Sequence, residues 1–197
     1  NKKSKLVYNL HNRIRDNIHL KKQPGFFDLI YLKLEKFFVK KADRIILNWG
    51  KYLKEGFFND KKKFLYYDPI ETDVKKTNLP ANNYLIYSGN FEDYQGLQNF
   101  IPIFVGIEHD LKLVLVGEPS VKIKNLIKEL NSENRVLLLG RLPVNQTNYL
   151  IKNSIAGVLP RVKGSSMKMI HYFFWNKPVI ATDTVSNREL IKDGVNG

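Results

Sequence analysis

The stretch RVKGSSMKMIHYFFWNKPVIATDTVSNRELIKDGVNG, residues 161–197, decides how this chain is read. Its pattern predicts a strand end, a glycine-bearing loop, a short helix, a strand, a loop and a helix. The strand that feeds it runs from Ile155 to Leu159, the loop from Pro160 to Ser165. The helix opens at Ser165 or Ser166, small hydroxyl residues suited to an N-cap. Gly164 would let a ligand approach the backbone closely. The free N–H groups of a first helical turn favour an anion in front of them. Arg161, Lys163 and Lys168 add three positive charges around that mouth. The expectation is a phosphate site, with the phosphate belonging to a nucleotide.

Working outward, the residues before this stretch alternate between short apolar strands and amphipathic helices. Tyr84–Tyr87, Leu111–Val116, Arg135–Leu139, Ile155–Leu159 and Pro178–Ala181 read as strands. Residues 96–107, 121–131, 146–153, 166–175 and 186–192 read as helices. Such alternation predicts a parallel, doubly wound α/β sheet whose ligands sit at the carboxyl ends of the strands. Three of those strands stop at glycine, namely Gly89, Gly117 and Gly140. Singly each glycine is turn chemistry, but in succession the loops would open on one crevice. No G-x-G-x-x-G fingerprint follows the first strand, and no Walker-type lysine loop is present. His11, His19, His109 and His171 do not pair at metal-ligand spacing.

The first 75 residues read as an incomplete α/β unit. Lys5–Leu10, Asp43–Asn48 and Lys63–Tyr67 are strands, 13–24 a loop, and Gly25–Lys41 and Gly50–Phe58 helices. In the first helix Phe27, Ile30, Leu34, Phe37 and Phe38 form an apolar stripe, with Lys33, Lys36, Lys40 and Lys41 mostly off it. A core-packing helix is the plainer reading. An interfacial helix, aromatics in lipid headgroups and lysines on anionic lipid, is the other. Asp68-Pro69 and Pro80 break the pattern and place a domain boundary near residues 70–80.

All 197 residues contain no cysteine, which excludes disulfides and thiolate metal sites and fits a reducing cytoplasm. No apolar run approaches a membrane span, and no signal-peptide pattern is present. The net charge of +13 is uneven: residues 1–70 carry +10 and the remainder +3. Such asymmetry implies a polyanionic neighbour or, more plainly, a solvated lysine-rich surface. Nucleic-acid motifs are absent, so nucleic acid is not an expected partner. The chain starts without methionine and stops just after a helix and turn, so a piece of a longer protein is expected.

Three motifs together resemble family 4 glycosyltransferases, the group 1 glycosyl transferases with the GT-B fold. YSGNFEDYQGL, residues 87–97, resembles the start of their donor domain. LVLVGEP and RVLLLGRLP, residues 113–119 and 135–143, resemble its next two strand–loop units. Residues 157–197 resemble its phosphate loop, helix and following strand. The resemblance implies α/β, GT-B type, Rossmann-like parallel sheet domains, with the N-terminal one incomplete. Residues 1–75 would be the end of the acceptor-side domain and 76–197 a donor domain truncated at its C-terminus.

The resemblance further implies transfer of a sugar from a nucleotide-diphosphate donor, with retention, to a glycan, lipid-linked or other cell-envelope acceptor. A non-catalytic nucleotide-sugar-binding or scaffolding relative is the alternative. Gly89 and Asn90 would approach the diphosphate, and Gln95 stands where many members have a diphosphate lysine. Arg141 and Leu142 would lie near the base. Arg161, Gly164, Ser165, Ser166 and Lys168 would form the phosphate loop and helix, and Glu189 matches a glutamate in the following helix. Lys163 and His171 occupy the positions of the family's two E-x7-E glutamates. His171 as a partly buried packing residue is the competing reading. His11 is a weak catalytic candidate. No cofactor or metal is expected beyond the donor substrate. The expected location is cytoplasmic, peripheral at the inner membrane face, through basic residues in 21–63.

Overall fold

The computed structural model of the protein describes residues 5–10, 25–47, 53, 62–66, 69–78, 80–162, 168–184 and 186–197. The chain forms two compact units, residues 1–69 and 70–197. Of the helix expected at 50–58 only Leu53 is described, and the loop at 13–24, His11, and Lys163, Gly164, Ser165 and Ser166 lie outside the described residues.

In the first unit, strands β1 (Val7–Leu10), β2 (Arg44–Leu47) and β3 (Lys62–Leu65) form a parallel sheet in that order. Helix α1 (Phe26–Lys41) connects β1 to β2. Its start is fixed by Asp28, whose carboxylate accepts the Gly25 N–H at 2.9 Å. Val39 and Ala42 are buried, as are Leu10, Ile45 and Leu47 of the sheet. The expected stripe behaves differently from a core face. Phe27, Ile30, Leu34, Phe37 and Phe38 are all exposed, Phe27 at 70%. Within this chain the stripe is therefore uncovered, and the buried residues of the helix are Glu35 and Val39.

The second unit holds β4 (Tyr84–Ser88), β5 (Lys112–Val116), β6 (Val136–Gly140), β7 (Ala156–Leu159) and β8 (Val179–Ala181). They form one parallel sheet in the order β6-β5-β4-β7-β8. The intervening helices are α2 (Leu97–Gly106), α3 (Val121–Glu129), α4 (Val144–Asn153) and α5 (described over Lys168–Phe174). Alternate residues of β4 point to opposite cores. Leu85 and Tyr87 pack with Ile101, Phe104, Ile123 and Ile127 of α2 and α3. Tyr84 and Ile86 pack with Leu150, Ile151, Met169 and Tyr172 of α4 and α5. Both faces are therefore covered, which is why the strands read as continuous apolar runs.

The helix expected over 186–192 is instead a 3-10 turn, Asn187–Glu189. Side chains take the bonds that a helix would use. Buried Asn187 donates its side-chain amide to Thr182 O at 2.8 Å, and its N–H to Thr184 Oγ1 at 3.2 Å. Asn196 Oδ1 accepts from Lys192 N at 2.7 Å, and Gly194 takes φ +70°.

The division between the units falls after Pro69, so residues 70–75 belong with the second unit. They are tied to α4. The side-chain amide of Asn148, fully buried, donates to Glu71 O and Asp73 O at 2.8 and 2.9 Å. Lys75 N donates to Asn145 O at 3.1 Å.

Gly157 lies under Tyr172. A β-carbon there would come within 2.4 Å of that ring, which is itself buried. Gly157→Ala is expected to lower unfolding stability by about 1–3 kcal/mol through overpacking. Urea denaturation of variant and parent measures it.

Candidate functional site

The strand order reverses between β4 and β7: β5 and β6 build outward on one side, β8 on the other. At such a switch point the loops leaving neighbouring strands diverge and leave a crevice. A cleft of about 780 Å³ opens on the β6-β5-β4 side of this point. Ser88 to Asp93 line it from the loop after β4, Val116 to Ser120 from the loop after β5, and Arg141 and Leu142 from the loop after β6. Val144 and Thr147 of α4, Lys122 of α3 and His171 of α5 complete the lining.

Glycines let the loops close on one another. Gly117, at φ +139°, has no room for a β-carbon, which would fall 1.9 Å from Gly89 O. Gly96, at φ +76°, would place one 1.9 Å from Pro160 O. The loop after β4 is thus in backbone contact with the loops after β5 and β7. Gly89 N donates to Val116 O at 2.9 Å, Gly117 N to Gly140 O at 2.8 Å, and Val162 N to Tyr94 O at 3.2 Å.

Lys168 and Arg161 are not among the lining residues, but Lys168 reaches Gly89 of the floor. A β-carbon added at Gly89 would meet its Nζ at 1.8 Å, so the ammonium occupies space that only a glycine leaves open. Nζ donates to Tyr87 Oη at 3.2 Å and lies 4.6 Å from that ring's centroid. Tyr87 Oη in turn donates to the backbone carbonyl of Asn90. Burial, with Arg161 adding like-charge repulsion, pushes the Lys168 ammonium down to about 8. The Arg161 guanidinium stacks on Tyr94, 4.9 Å from the ring centroid.

The other predicted residues separate into groups. Gly89, Asn90, Arg141, Leu142 and His171 line the cleft. Gln95 lies beneath it, 3% exposed, and its side-chain amide donates to Asn90 Oδ1 at 2.8 Å. Asn90 donates onward to Tyr94 Oη at 3.2 Å. Gln95 therefore acts on the loop by holding Asn90. Glu189 is exposed on its 3-10 turn and is not among the lining residues. His171 lines the cleft with Nε2 buried and without a hydrogen-bond partner. Burial holds its imidazole below the ordinary 6.5, against a smaller opposing pull from Glu71.

Sequence reasoning missed Tyr87, Tyr172, Thr147, Asn148 and Glu71. Tyr172, buried, accepts Ser88 N at 3.2 Å and so braces the end of β4 from below. Tyrosine in the YLIYSGN motif carries a weak signal of such a role. Asn148 and Glu71 carry none, since their bond joins residues 77 positions apart. At the rim, Lys122 pairs with Asp93 at 2.9 Å, both exposed. Among the described residues no group of three or more acidic or histidine side chains is placed to hold a metal ion. No helix among them is long and apolar enough to cross a membrane.

A parallel sheet covered by helices on both faces, with glycine-bearing loops at the carboxyl ends of its strands, defines a Rossmann-like α/β domain. The family comparison makes this particular: residues 69–197 match the model for glycosyl transferases group 1, and the chain belongs to that family. An uncharacterized glycosyltransferase of Methanocaldococcus jannaschii is 27% identical over 165 residues, 82% of this chain and 46% of its own. The Anabaena HepE structure in complex with UDP and glucose superimposes with a TM-score of 0.73 at 20% identity, over 98% of this chain and 57% of that one. Sucrose-phosphate synthase from Thermosynechococcus elongatus gives 0.68 at 20% identity, over 89% and 49%. The fold is of the GT-B class. The chain spans about half the length of these relatives.

Gln95→Leu would remove the donor to Asn90 Oδ1 and with it one of the bonds that hold this loop residue. A loss of about 1 kcal/mol is expected, together with faster amide exchange over residues 89–96, measurable by hydrogen exchange.

Proposed function

We propose that the whole protein transfers a sugar from a nucleoside-diphosphate donor, held in this cleft, to an acceptor hydroxyl of a glycan or lipid-linked cell-envelope molecule. The observation that carries the reading is the Lys168 ammonium over Gly89 at the switch point of the sheet. In sugar transfer the bond between the anomeric carbon and the diphosphate oxygen breaks, and negative charge grows on the departing diphosphate. A cation fixed beside the crevice stabilises that charge without reorganising as it forms. Arg161, next to Lys168 and locked on Tyr94, adds to the same positive field. Arg141 and Leu142 at the far lip suit the base. The acceptor hydroxyl attacks the anomeric carbon and passes its proton to the departing diphosphate oxygen, with retention of configuration as the resemblance implies. The relatives that carry a bound ligand include Anabaena HepE with UDP-glucose, which supports a nucleotide sugar as the donor class.

The charge state of Lys168 gives two linked expectations. The ammonium is what a diphosphate needs, and it begins to be lost above about pH 8 in the free protein. UDP affinity, measured by calorimetry on the full-length protein, is therefore expected to fall as pH rises through about 8. Lys168→Met should weaken UDP binding about tenfold or more, the scale of one charge-assisted hydrogen bond, and remove the alkaline fall. Stability runs the other way. Because the folded value lies below the ordinary 10.5, the unfolded chain binds more protons between about 8 and 10.5. Stability contributed by this group rises with pH through that window. Lys168→Met should flatten that rise in a thermal-melt series. A screen in which no nucleoside diphosphate or nucleotide sugar binds would overturn the reading.

The exposed aromatic face of α1, with Lys33, Lys36, Lys40 and Lys41 on the same helix, favours peripheral attachment to anionic lipid as a further part of the proposal. Co-sedimentation with vesicles containing phosphatidylglycerol, compared with phosphatidylcholine alone, tests it. Binding to the anionic vesicles that falls with added salt is expected, and equal binding to both would overturn it.

A further inference from the structure

The walls of the cleft are poorly charged for an anion. Among the described residues the lining carries three carboxylates, Glu92, Asp93 and Glu118, against two permanent cations, Lys122 and Arg141. Lys122 is moreover engaged, its Nζ donating to Asp93 Oδ1 at 2.9 Å. The ammonium that α3 offers to the cleft is thus taken up by a carboxylate of the facing loop.

That bond does little to hold either element. Asp93 opens a 3-10 turn, Asp93–Gln95, whose backbone is fixed by other donors. Gly96 N and Gln98 Nε2 both reach Asp93 O, at 3.1 and 2.7 Å, and Gln95 N reaches Glu92 O at 2.9 Å. Across the cleft, Ser120 fixes the start of α3. Its Oγ accepts Ile123 N at 3.3 Å and its carbonyl accepts Lys124 N at 3.1 Å. Both side chains of the pair are exposed, Lys122 at 60% and Asp93 at 75%. An exposed ion pair is weak, because water solvates each partner nearly as well as the other does. Lys122 can therefore change partner without disturbing loop or helix. A lysine ammonium is a point charge on a flexible stem and follows the strongest anion within reach. A diphosphate carries more negative charge than a single carboxylate. Asp93, once released, returns to water that already surrounds most of it.

We propose that Asp93 is an internal competitor of the ligand: it holds Lys122 as a stand-in anion in the empty cleft, and a phosphate group of the bound nucleotide takes Lys122 over from it. This rests on the nucleotide-sugar reading and deepens it, by adding a self-inhibitory contact to the same cleft. Asp93 touches no ligand and acts only through Lys122. Its effect is an affinity set below what the cations of the cleft allow, and this favours release of the nucleoside diphosphate left after transfer.

The test compares UDP and UDP-glucose affinity, by calorimetry, for the full-length protein, Asp93→Asn, Lys122→Met and the double variant. Hydrogen exchange over residues 92–98 is followed in parallel. Asp93→Asn is expected to bind about two- to fivefold tighter, the range of one exposed ion pair. Its exchange should be unchanged, because the turn keeps its backbone bonds. Lys122→Met is expected to lose about threefold or more in affinity. With Lys122 already replaced, Asp93→Asn should gain less than it does alone, since no lysine remains to be released. Weaker binding or faster exchange in Asp93→Asn marks a clasp that holds the loop, and overturns the proposal. Unchanged binding in Lys122→Met overturns it too. An equal gain from Asp93→Asn with and without Lys122 marks plain repulsion between carboxylate and ligand, and also overturns the exchange. If the parent protein binds neither ligand, the nucleotide-sugar reading itself has failed. If the parent binds and the variants match it, the exchange alone has failed.

Discussion

The ligand side of this protein depends on one electrostatic compromise, a lysine ammonium kept partly out of water against the face of a tyrosine. Lys168 loses hydration there and gains in return a hydrogen bond to Tyr87 Oη and attraction to its ring. The depressed ammonium shows that the exchange is unfavourable to the charge on balance. Such a group is costly in the empty protein and becomes favourable when an anion arrives. That asymmetry is what a binding site for a departing diphosphate requires, because the interaction strengthens as the charge grows. It also explains why the surrounding polar chain is so closely connected. Tyr87 holds Asn90, Gln95 holds Asn90 from beneath, and Asn90 reaches Tyr94, on which Arg161 rests. Each link fixes a loop atom that would otherwise move away from the lysine.

The fold of the second unit was legible because its strands are buried on both faces and punctuated by glycine. Leu113, Val114 and Leu115, all buried, read as one apolar run, and the run ends where the sheet does. The last element was misread as a helix. Asn187, Thr184 and Asn196 satisfy the backbone locally, and nothing in their spacing says which way such residues will turn. The stripe on α1 was legible as a pattern but not as a location. Periodicity reports which residues share a face and is silent about what covers it. Gly89, Asn90, Arg141 and Leu142, which stand on motifs that follow strands, line the cleft, as does His171. Asn148 could not be found so, because its bonds to the Glu71 and Asp73 carbonyls cross a long sequence separation. Gln95 was found as a position, yet its burial redirects its amide from ligand to loop.

The close backbone contacts between the glycine loops have a consequence for the thermodynamics of association. With Gly89 O seated where a side chain of residue 117 would be, and Pro160 O likewise at residue 96, the loops cannot be displaced separately without breaking contact. The loops after β4 and β5 and residues 160–162 after β7 are thereby held together before any ligand is present. Ordering a flexible loop on binding costs about 0.5–1.5 kcal/mol for each immobilised side chain. Here that entropy has been surrendered during folding. A ligand entering the cleft then meets a surface whose shape is already set, so its contacts appear as affinity rather than as work done on the protein.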